Sequence, residues 1–285
     1  MSPYPWPAPA KLNLFLHVVG RRPDGYHALQ SVFQFIDYCD RLDFQVTGNG
    51  IVRRATPVDG IDPDSDLTVR AARALQRDSG CRLGADIHIQ KHLPMAAGLG
   101  GGSSDAATTL MALNRLWGLD LPAARLARIG LSLGADVPVF VHGRAAWAEG
   151  VGEHLTPVDL PEPWYVVLTP AVPIATKDVF GAPELTRNCP PLTISDFLSG
   201  QGANVCEPVV RGRFPQVAEA LDALARFAPS RLSGTGGSIF AAFSREEEAR
   251  EAFAQLSPAW PGCVAKGLNR SPMLDVLRDM PSERV

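Results

Sequence analysis

The 285-residue chain predicts a two-domain α+β protein. Segments that alternate apolar and polar residues, as strands do, interleave in both halves with segments whose apolar residues recur at helical spacing. Between the halves, Pro157 to Pro163 places three prolines in seven residues, which suits a crossover between domains 1–158 and 159–285 better than a regular element.

The elements follow in order. Ala10 to Val19 reads as a strand, and Gly20 to Gly25, with Pro23 and Asp24, as a turn. Residues 26 to 47 continue in apolar and aromatic runs that predict further strands. Leu67 to Leu75 has helical spacing, and Ala85 to Ile89 alternates like a half-buried strand. Ala106, Ala107, Leu110, Met111, Asn114 and Trp117 recur as one helix face until Gly118. Ser103 or Ser104 is the expected N-cap of that helix, and Asp105 suits its first turn. Pro122 to Leu133 is the next helix, with Pro122 in its first turn and Gly134 at its end. Past the crossover, Trp164 to Thr169 and Ile239 to Phe243 read as strands, Ser233 to Gly237 as a glycine-rich turn, and Val217 to Phe227, Glu246 to Leu256 and the segment after Pro272 as helices.

Composition narrows the function classes. The formal charge of −3, with no basic run, gives no reason to expect nucleic acid as a partner. The first residues lack a signal-peptide pattern and no apolar stretch approaches eighteen residues, so a cytoplasmic protein with no membrane contact is expected. The five cysteines are dispersed and without C-x-x-C spacing, which argues for reduced thiols rather than a disulfide framework or a zinc site. No protein-built metal site is visible, so a metal would arrive with the substrate. Small molecules are the expected partners of a monomer or homodimer.

Pro94, Met95, Ala96, Ala97, Gly98, Leu99, Gly100, Gly101, Gly102, Ser103 and Ser104 lie between the strand at 85–89 and the following helix. Four glycines there let backbone N–H groups converge at a helix N-terminus, which is an anion site. The P-loop pattern is absent, since Ser103 rather than Lys follows Gly102, and the dinucleotide fingerprint lacks its third Gly or Ala. Positive charge must therefore come from elsewhere. Lys11 lies in the apolar run Ala10-Lys11-Leu12-Asn13-Leu14, and Asp136 is the only charge in Gly134-Ala135-Asp136-Val137-Pro138-Val139-Phe140. Taken singly, Lys11 reads as an edge lysine that snorkels to water and Asp136 as a turn cap. Together with the loop they form the minimum set for phosphoryl transfer: anion cradle, cation and carboxylate.

That set resembles the kinase superfamily named after galactose, homoserine, mevalonate and phosphomevalonate. The likeness rests on Pro9-Ala10-Lys11-Leu12-Asn13, on the loop from Pro94 to Ser104, and on Leu232-Ser233-Gly234-Thr235-Gly236-Gly237. Arg22-Pro23-Asp24-Gly25-Tyr26-His27, Gly134 to Pro138 and Asn269-Arg270-Ser271-Pro272 narrow it to the branch acting on cytidine-diphosphate-linked methylerythritol. The resemblance implies an N-terminal domain with a left-handed βαβ crossover, a C-terminal ferredoxin-like domain, and ATP with Mg2+ held mainly by the nucleotide phosphates. It implies Asp136 as catalytic base, Lys11 as catalytic lysine, Pro94 to Ser104 as the ATP phosphate site, and Lys91 near the adenine unless it only flanks a strand. Tyr26, His27 and Phe180 match positions at the cytidine end, although the first two could flank a turn and the third could be core; Asn13 lies near the substrate. Ser103 or Ser104 would cap the helix, supply a metal ligand, or both. Ala96 stands where the family commonly has Gly, which matters little if φ is negative there, and Asp66 where Asn is usual.

Overall fold

The computed structural model describes residues 5–23, 25–56, 62 and 64–280; the sequence motif member Asp24 lies outside them. Strands β1 (Trp6–Arg21) and β2 (His27–Thr47) form a long antiparallel pair. The segment expected to hold several strands is thus one continuous strand from His27 to Thr47. The charges within it have partners: Asp37 accepts from the Lys266 backbone N–H at 2.7 Å, and Asp40 is fully buried with partners of its own. Strand β3 (Val52–Arg54), helix α1 (Leu67–Ser79) and strand β4 (Gly84–Gln90) form a parallel β-α-β unit, with β4 also antiparallel to β2. Helices α2 (Gly101–Leu116), α3 (Ala123–Leu131) and α4 (Val137–His142) follow, then the hairpin of β5 (Ala146–Gly150), paired with β2, and β6 (His154–Pro157). Pro122 is the N-cap of α3 rather than a residue of its first turn, and the helix ends at Leu131, short of Gly134.

The second half runs β7 (Trp164–Leu168), α5 (Thr176–Phe180), α6 (Ile194–Leu198), α7 (Glu207–Arg213), α8 (Pro215–Ala225), β8 (Ser230–Leu232), β9 (Ile239–Phe243), α9 (Glu246–Leu256), β10 (Gly262–Leu268) and α10 (Pro272–Asp279). Its strands lie side by side as β10-β7-β9-β8, all antiparallel. In chain order that is fourth, first, third, second, the arrangement of a ferredoxin-like sheet. β10 also pairs with β2 through Gly267 and Ile36, so the two halves share one sheet of ten strands.

Two large cores flank this sheet. One gathers Trp6, Phe35, Leu75, Leu110, Leu113 and Val139 and takes in Met273 of the last helix; the other gathers Val166, Leu168, Leu221, Leu224, Ile239 and Leu256. Between them Ala10, Leu12 and Ile36 pack with Ala97, Leu99, Tyr165 and Phe240, which seats the glycine loop on the seam of the halves. Every residue of α2 from Ser104 to Leu113 is buried. A helix enclosed on all sides keeps a fixed axis, and its N-terminus opens at the seam.

Candidate active site

The loop reaches α2 differently from the expected serine cap. Gly100, with φ 73°, is the N-cap, and no side chain caps the helix. Ser103 and Ser104 fall in the first turn; Ser103 lines the cleft, while the Ser104 hydroxyl is buried without a hydrogen-bond partner. A glycine that enters the left-handed region ends the loop earlier than a side-chain cap would, leaving the first N–H groups of α2 for a ligand. Gly98 (φ 75°) is pressed against the β8–β9 turn: a Cβ there would lie 2.6 Å from the Ser233 carbonyl oxygen and 2.7 Å from that of Gly236. The Ser233 hydroxyl donates to the Gly98 carbonyl at 3.2 Å, so the second and third sequence motifs interlock. Ala96 has φ 54°, which corrects the assumption that its side chain is harmless. Left-handed backbone costs an L-residue about 1–2 kcal/mol, partly offset by the greater chain entropy of Gly in the unfolded state. Ala96→Gly is therefore expected to stabilise the fold by about 0.5–1 kcal/mol, seen as a rise in thermal midpoint; a lower midpoint would contradict this.

Three charged side chains fix the loop. Asp40 of β2 accepts from the His92 and Leu93 backbone N–H groups at 2.6 and 2.8 Å and from the Lys91 ammonium, which also donates to Asp105 of α2 at 2.8 Å. Asp105 is thus in a buried ion cluster beyond the first turn, not the first-turn residue that its position suggested. Burial pushes its carboxyl pKa up to about 7, with Asp40 adding to the rise and Lys91 opposing it. Burial also works against the Lys91 ammonium, yet Asp105 and Asp40 together hold its pKa above the ordinary value. The unfolded chain releases the Asp105 proton near pH 3.9, whereas the folded chain keeps it until about 7. Through this group stability falls as pH rises across that window. Asp105→Asn should remove the loss: its thermal midpoint, compared with that of the unaltered chain, should gain more at pH 8 than at pH 5. An equal difference at both pH values would count against the assignment.

Lys11 and Asn13, two apart on β1, project from one face, while Ala10 and Leu12 project into the seam. Lys11 is no snorkelling edge residue. Its side chain is 4% exposed, and its ammonium donates to Asn13 Oδ1 at 2.5 Å and to the Gly98 carbonyl at 3.1 Å, with Asp136 Oδ2 at 3.4 Å and the Phe33 ring centroid at 5.4 Å. Asn13 Nδ2 donates to Ser31, whose hydroxyl donates to the Phe15 carbonyl, so the amide orientation is set by a buried chain of hydrogen bonds. Asp136 stands at the N-cap position of α4 but makes no capping bond, and its side chain remains 35% exposed. The carboxylate faces the cleft, held beside a buried cation.

The cleft encloses about 370 Å3 and is lined by Lys11, Asn13, Gly98, Gly100, Ser103 and Asp136, and also by Phe180, Gly234 and Thr235. Phe180 stacks on His27 at a centroid distance of 5.2 Å, which places His27 beside the cleft although it does not line it. Tyr26, 67% exposed, lies outside the lining. Lys91 opens on a separate cavity of about 220 Å3 across the glycine loop, lined also by Asp66, Leu67, Ile89, Met95 and Ala96. Asp66 caps α1: its carboxylate accepts from the Thr68 N–H at 2.7 Å and from Arg54 at 2.6 Å.

Comparison with known proteins fits this geometry. The pattern described as GHMP kinases N terminal domain matches residues 66–144, and that described as GHMP kinases C terminal matches residues 192–262. The chain is 59% identical over 272 residues to the 4-diphosphocytidyl-2-C-methyl-D-erythritol kinase of Nitrosococcus oceani, covering 95% of this chain and 97% of the relative. The chain belongs to the 4-diphosphocytidyl-2-C-methyl-D-erythritol kinase family. The enzyme of that name from Alkalilimnicola ehrlichii is 57% identical, with 96% of this chain and 94% of the relative covered. A crystal structure of 4-(cytidine 5'-diphospho)-2C-methyl-D-erythritol kinase superposes with a TM-score of 0.80 at 32% identity, covering 93% of this chain and 99% of that one.

Within this kinase family scaffold, sequence reasoning missed Asp40, Ser31 and Arg187, whose Nε donates to His27 Nε2 at 3.2 Å. Asp40 carried a readable signal as a charge inside an apolar strand; Arg187, in the connection after α5, carried none. The Asn269-Arg270-Ser271-Pro272 motif is a clasp. Asn269 exchanges hydrogen bonds with both backbone groups of Leu160 and its carbonyl accepts from Ala145, while the Ser271 N–H donates to Gly143, the C-cap of α4. It steadies the far end of the helix that carries Asp136.

Proposed function

We propose that the protein transfers the γ-phosphoryl group of ATP to the 2-hydroxyl of 4-diphosphocytidyl-2-C-methyl-D-erythritol, giving the 2-phosphate and ADP in the non-mevalonate route to isoprenoid precursors. The observation that carries this reading is Lys11 held between the Gly98 carbonyl and Asp136 at the mouth of the α2 N-terminus. The names of relatives at 59% and 57% identity support the choice of substrate.

In this reading the triphosphate lies along Pro94 to Ser104, where the N–H groups and helix dipole of α2 favour anions, and the adenine enters the cavity beside Lys91. The cleft takes the methylerythritol and the transferring group, with Asn13 against the substrate, and the cytidine end reaches Tyr26, His27 and Phe180. An alcohol is far less acidic than a carboxylic acid near pKa 3.9, so Asp136 accepts the proton late, as the loose transition state forms. Lys11 offsets charge on the nucleophile and γ-phosphate.

Among the described residues no three His, Cys, Asp or Glu side chains gather as a metal site. Oxygen donors that line the cleft, Ser103 and Asp136 among them, suit magnesium, which retains waters and needs few protein ligands. Bound to the nucleotide, Mg2+ would neutralise charge on the β- and γ-oxygens. The reading keeps ATP and small molecules as partners, a monomer or homodimer in the cytoplasm, and domains meeting near residue 158. No helix among the described residues is long and apolar enough to cross a membrane.

An ADP-release assay with ATP and Mg2+ tests it, comparing the cytidine compound with homoserine, mevalonate and galactose. Turnover with the cytidine compound alone is expected. Turnover with another alcohol would reassign the substrate, and ATP binding without turnover would mark a nucleotide sensor.

A further inference from the structure

We infer that Arg187 fixes His27 as its neutral Nδ1–H tautomer, and that this tautomer makes the base subsite select a pyrimidine whose ring N3 accepts a hydrogen bond. The inference rests on the proposed binding of the substrate's cytidine end at Tyr26, His27 and Phe180.

Arg187 is held by three backbone carbonyls: Nη1 donates to Leu185 at 3.0 Å, and Nη2 to Phe180 at 2.9 Å and Ala182 at 2.7 Å. Its Nε is thereby aimed at His27 Nε2, 3.2 Å away. A guanidinium has donors only, so the imidazole nitrogen it meets must accept. A neutral imidazole has one acceptor and one donor, which puts the ring proton on Nδ1. Protonation at Nε2 would set N–H against N–H beside a fixed cation. The His27 pKa is accordingly lowered, first by burial and then by Arg187 and Arg21.

The resulting Nδ1–H has no hydrogen-bond partner among the described residues. The ring that carries it is restrained twice, by Arg187 and by its stack on Phe180 with 21° between the planes, and Phe180 lines the cleft. Arg187 also grips the Phe180 carbonyl, so one side chain sets both the platform and the edge beside it. Cytosine N3 is an acceptor and meets Nδ1–H productively. Uracil N3 carries hydrogen and opposes it, donor against donor. Arg187 acts through His27 and is a positioning residue.

The full-length protein with 15N-labelled histidine gives the direct readout. Long-range 1H–15N correlations at pH 7 are expected to show His27 protonated at Nδ1 and bare at Nε2, and Arg187→Met is expected to shift it toward Nε2–H. In parallel, kcat/KM is measured for the cytidine-diphosphate compound and its uridine-diphosphate counterpart. A site that hydrogen-bonds its substrate rejects a mismatched analogue strongly. The unaltered enzyme should therefore prefer the cytidine compound by about 100-fold or more, and Arg187→Met should lose at least about tenfold of that preference. Arg187→Lys, which keeps a cation and a donor, should retain more of it. His27 found as Nε2–H in the unaltered protein, or discrimination unchanged in Arg187→Met, would overturn the inference. An unaltered enzyme that turns over neither compound while showing Nδ1–H would overturn the kinase reading and the selectivity with it, leaving the tautomer assignment standing.

Discussion

Asp136→Asn is expected to lower kcat by about three to four orders of magnitude while ATP affinity stays within about twofold. The substitution keeps the shape of the side chain and removes its ability to take a proton. The fold should tolerate it, because Lys11 still donates to Asn13 and to the Gly98 carbonyl and Asp136 makes no capping bond for α4 to lose. ATP should still bind, since the proposed reading places its phosphates on the glycine loop and the N-terminus of α2, away from the Asp136 carboxylate. The loss thus belongs to the transition state, where the hydroxyl proton needs an acceptor and the charge beside Lys11 matters most. Steady-state kinetics with a parallel nucleotide-binding titration checks this. A kcat within tenfold of the unaltered enzyme would remove Asp136 from the mechanism.

Asp40→Ala should be the most destabilising substitution near the site, costing about 3–5 kcal/mol and lowering the thermal midpoint by roughly 10 °C. One carboxylate serves three donors there: the backbone N–H groups of His92 and Leu93 and the Lys91 ammonium. Its removal leaves two N–H groups without their acceptor and Lys91 with Asp105 alone. Because these groups hold the start of the glycine loop, the KM for ATP should rise as stability falls. A midpoint within about 2 °C of the unaltered protein would show that the cluster does not hold the loop.

What the sequence revealed was local. The glycine run, the helix after it and the strand bearing Lys11 and Asn13 were readable because each follows from neighbouring residues. The helix start was misplaced at Ser103 or Ser104 because serine is a good cap in isolation, whereas Gly100 takes the cap with a positive φ where a Cβ would lie 2.8 Å from Phe140 and 3.1 Å from Lys11, neighbours distant in sequence. The second strand was expected as several because its apolar and aromatic residues come in separate runs, and the partners that hold Asp37 and Asp40 within it, Lys266, Lys91 and Leu93, are distant in sequence. Arg187 left no trace for the same reason: its meaning lies in carbonyls of a connection without periodic pattern and in a histidine at the start of β2. Asp136 stood out as a lone charge, but its approach to Lys11 required the fold.

The central claim is that this cleft phosphorylates one hydroxyl of a cytidine-bearing alcohol. A single-turnover reaction with ATP labelled at the γ-phosphate, Mg2+ and 4-diphosphocytidyl-2-C-methyl-D-erythritol, followed by 31P NMR of the product, tests it most directly. The account predicts that the label appears as a phosphomonoester at the 2-hydroxyl, with the diphosphate linkage intact and ADP released in equal amount. Label in inorganic phosphate alone, or on any other oxygen, would contradict it.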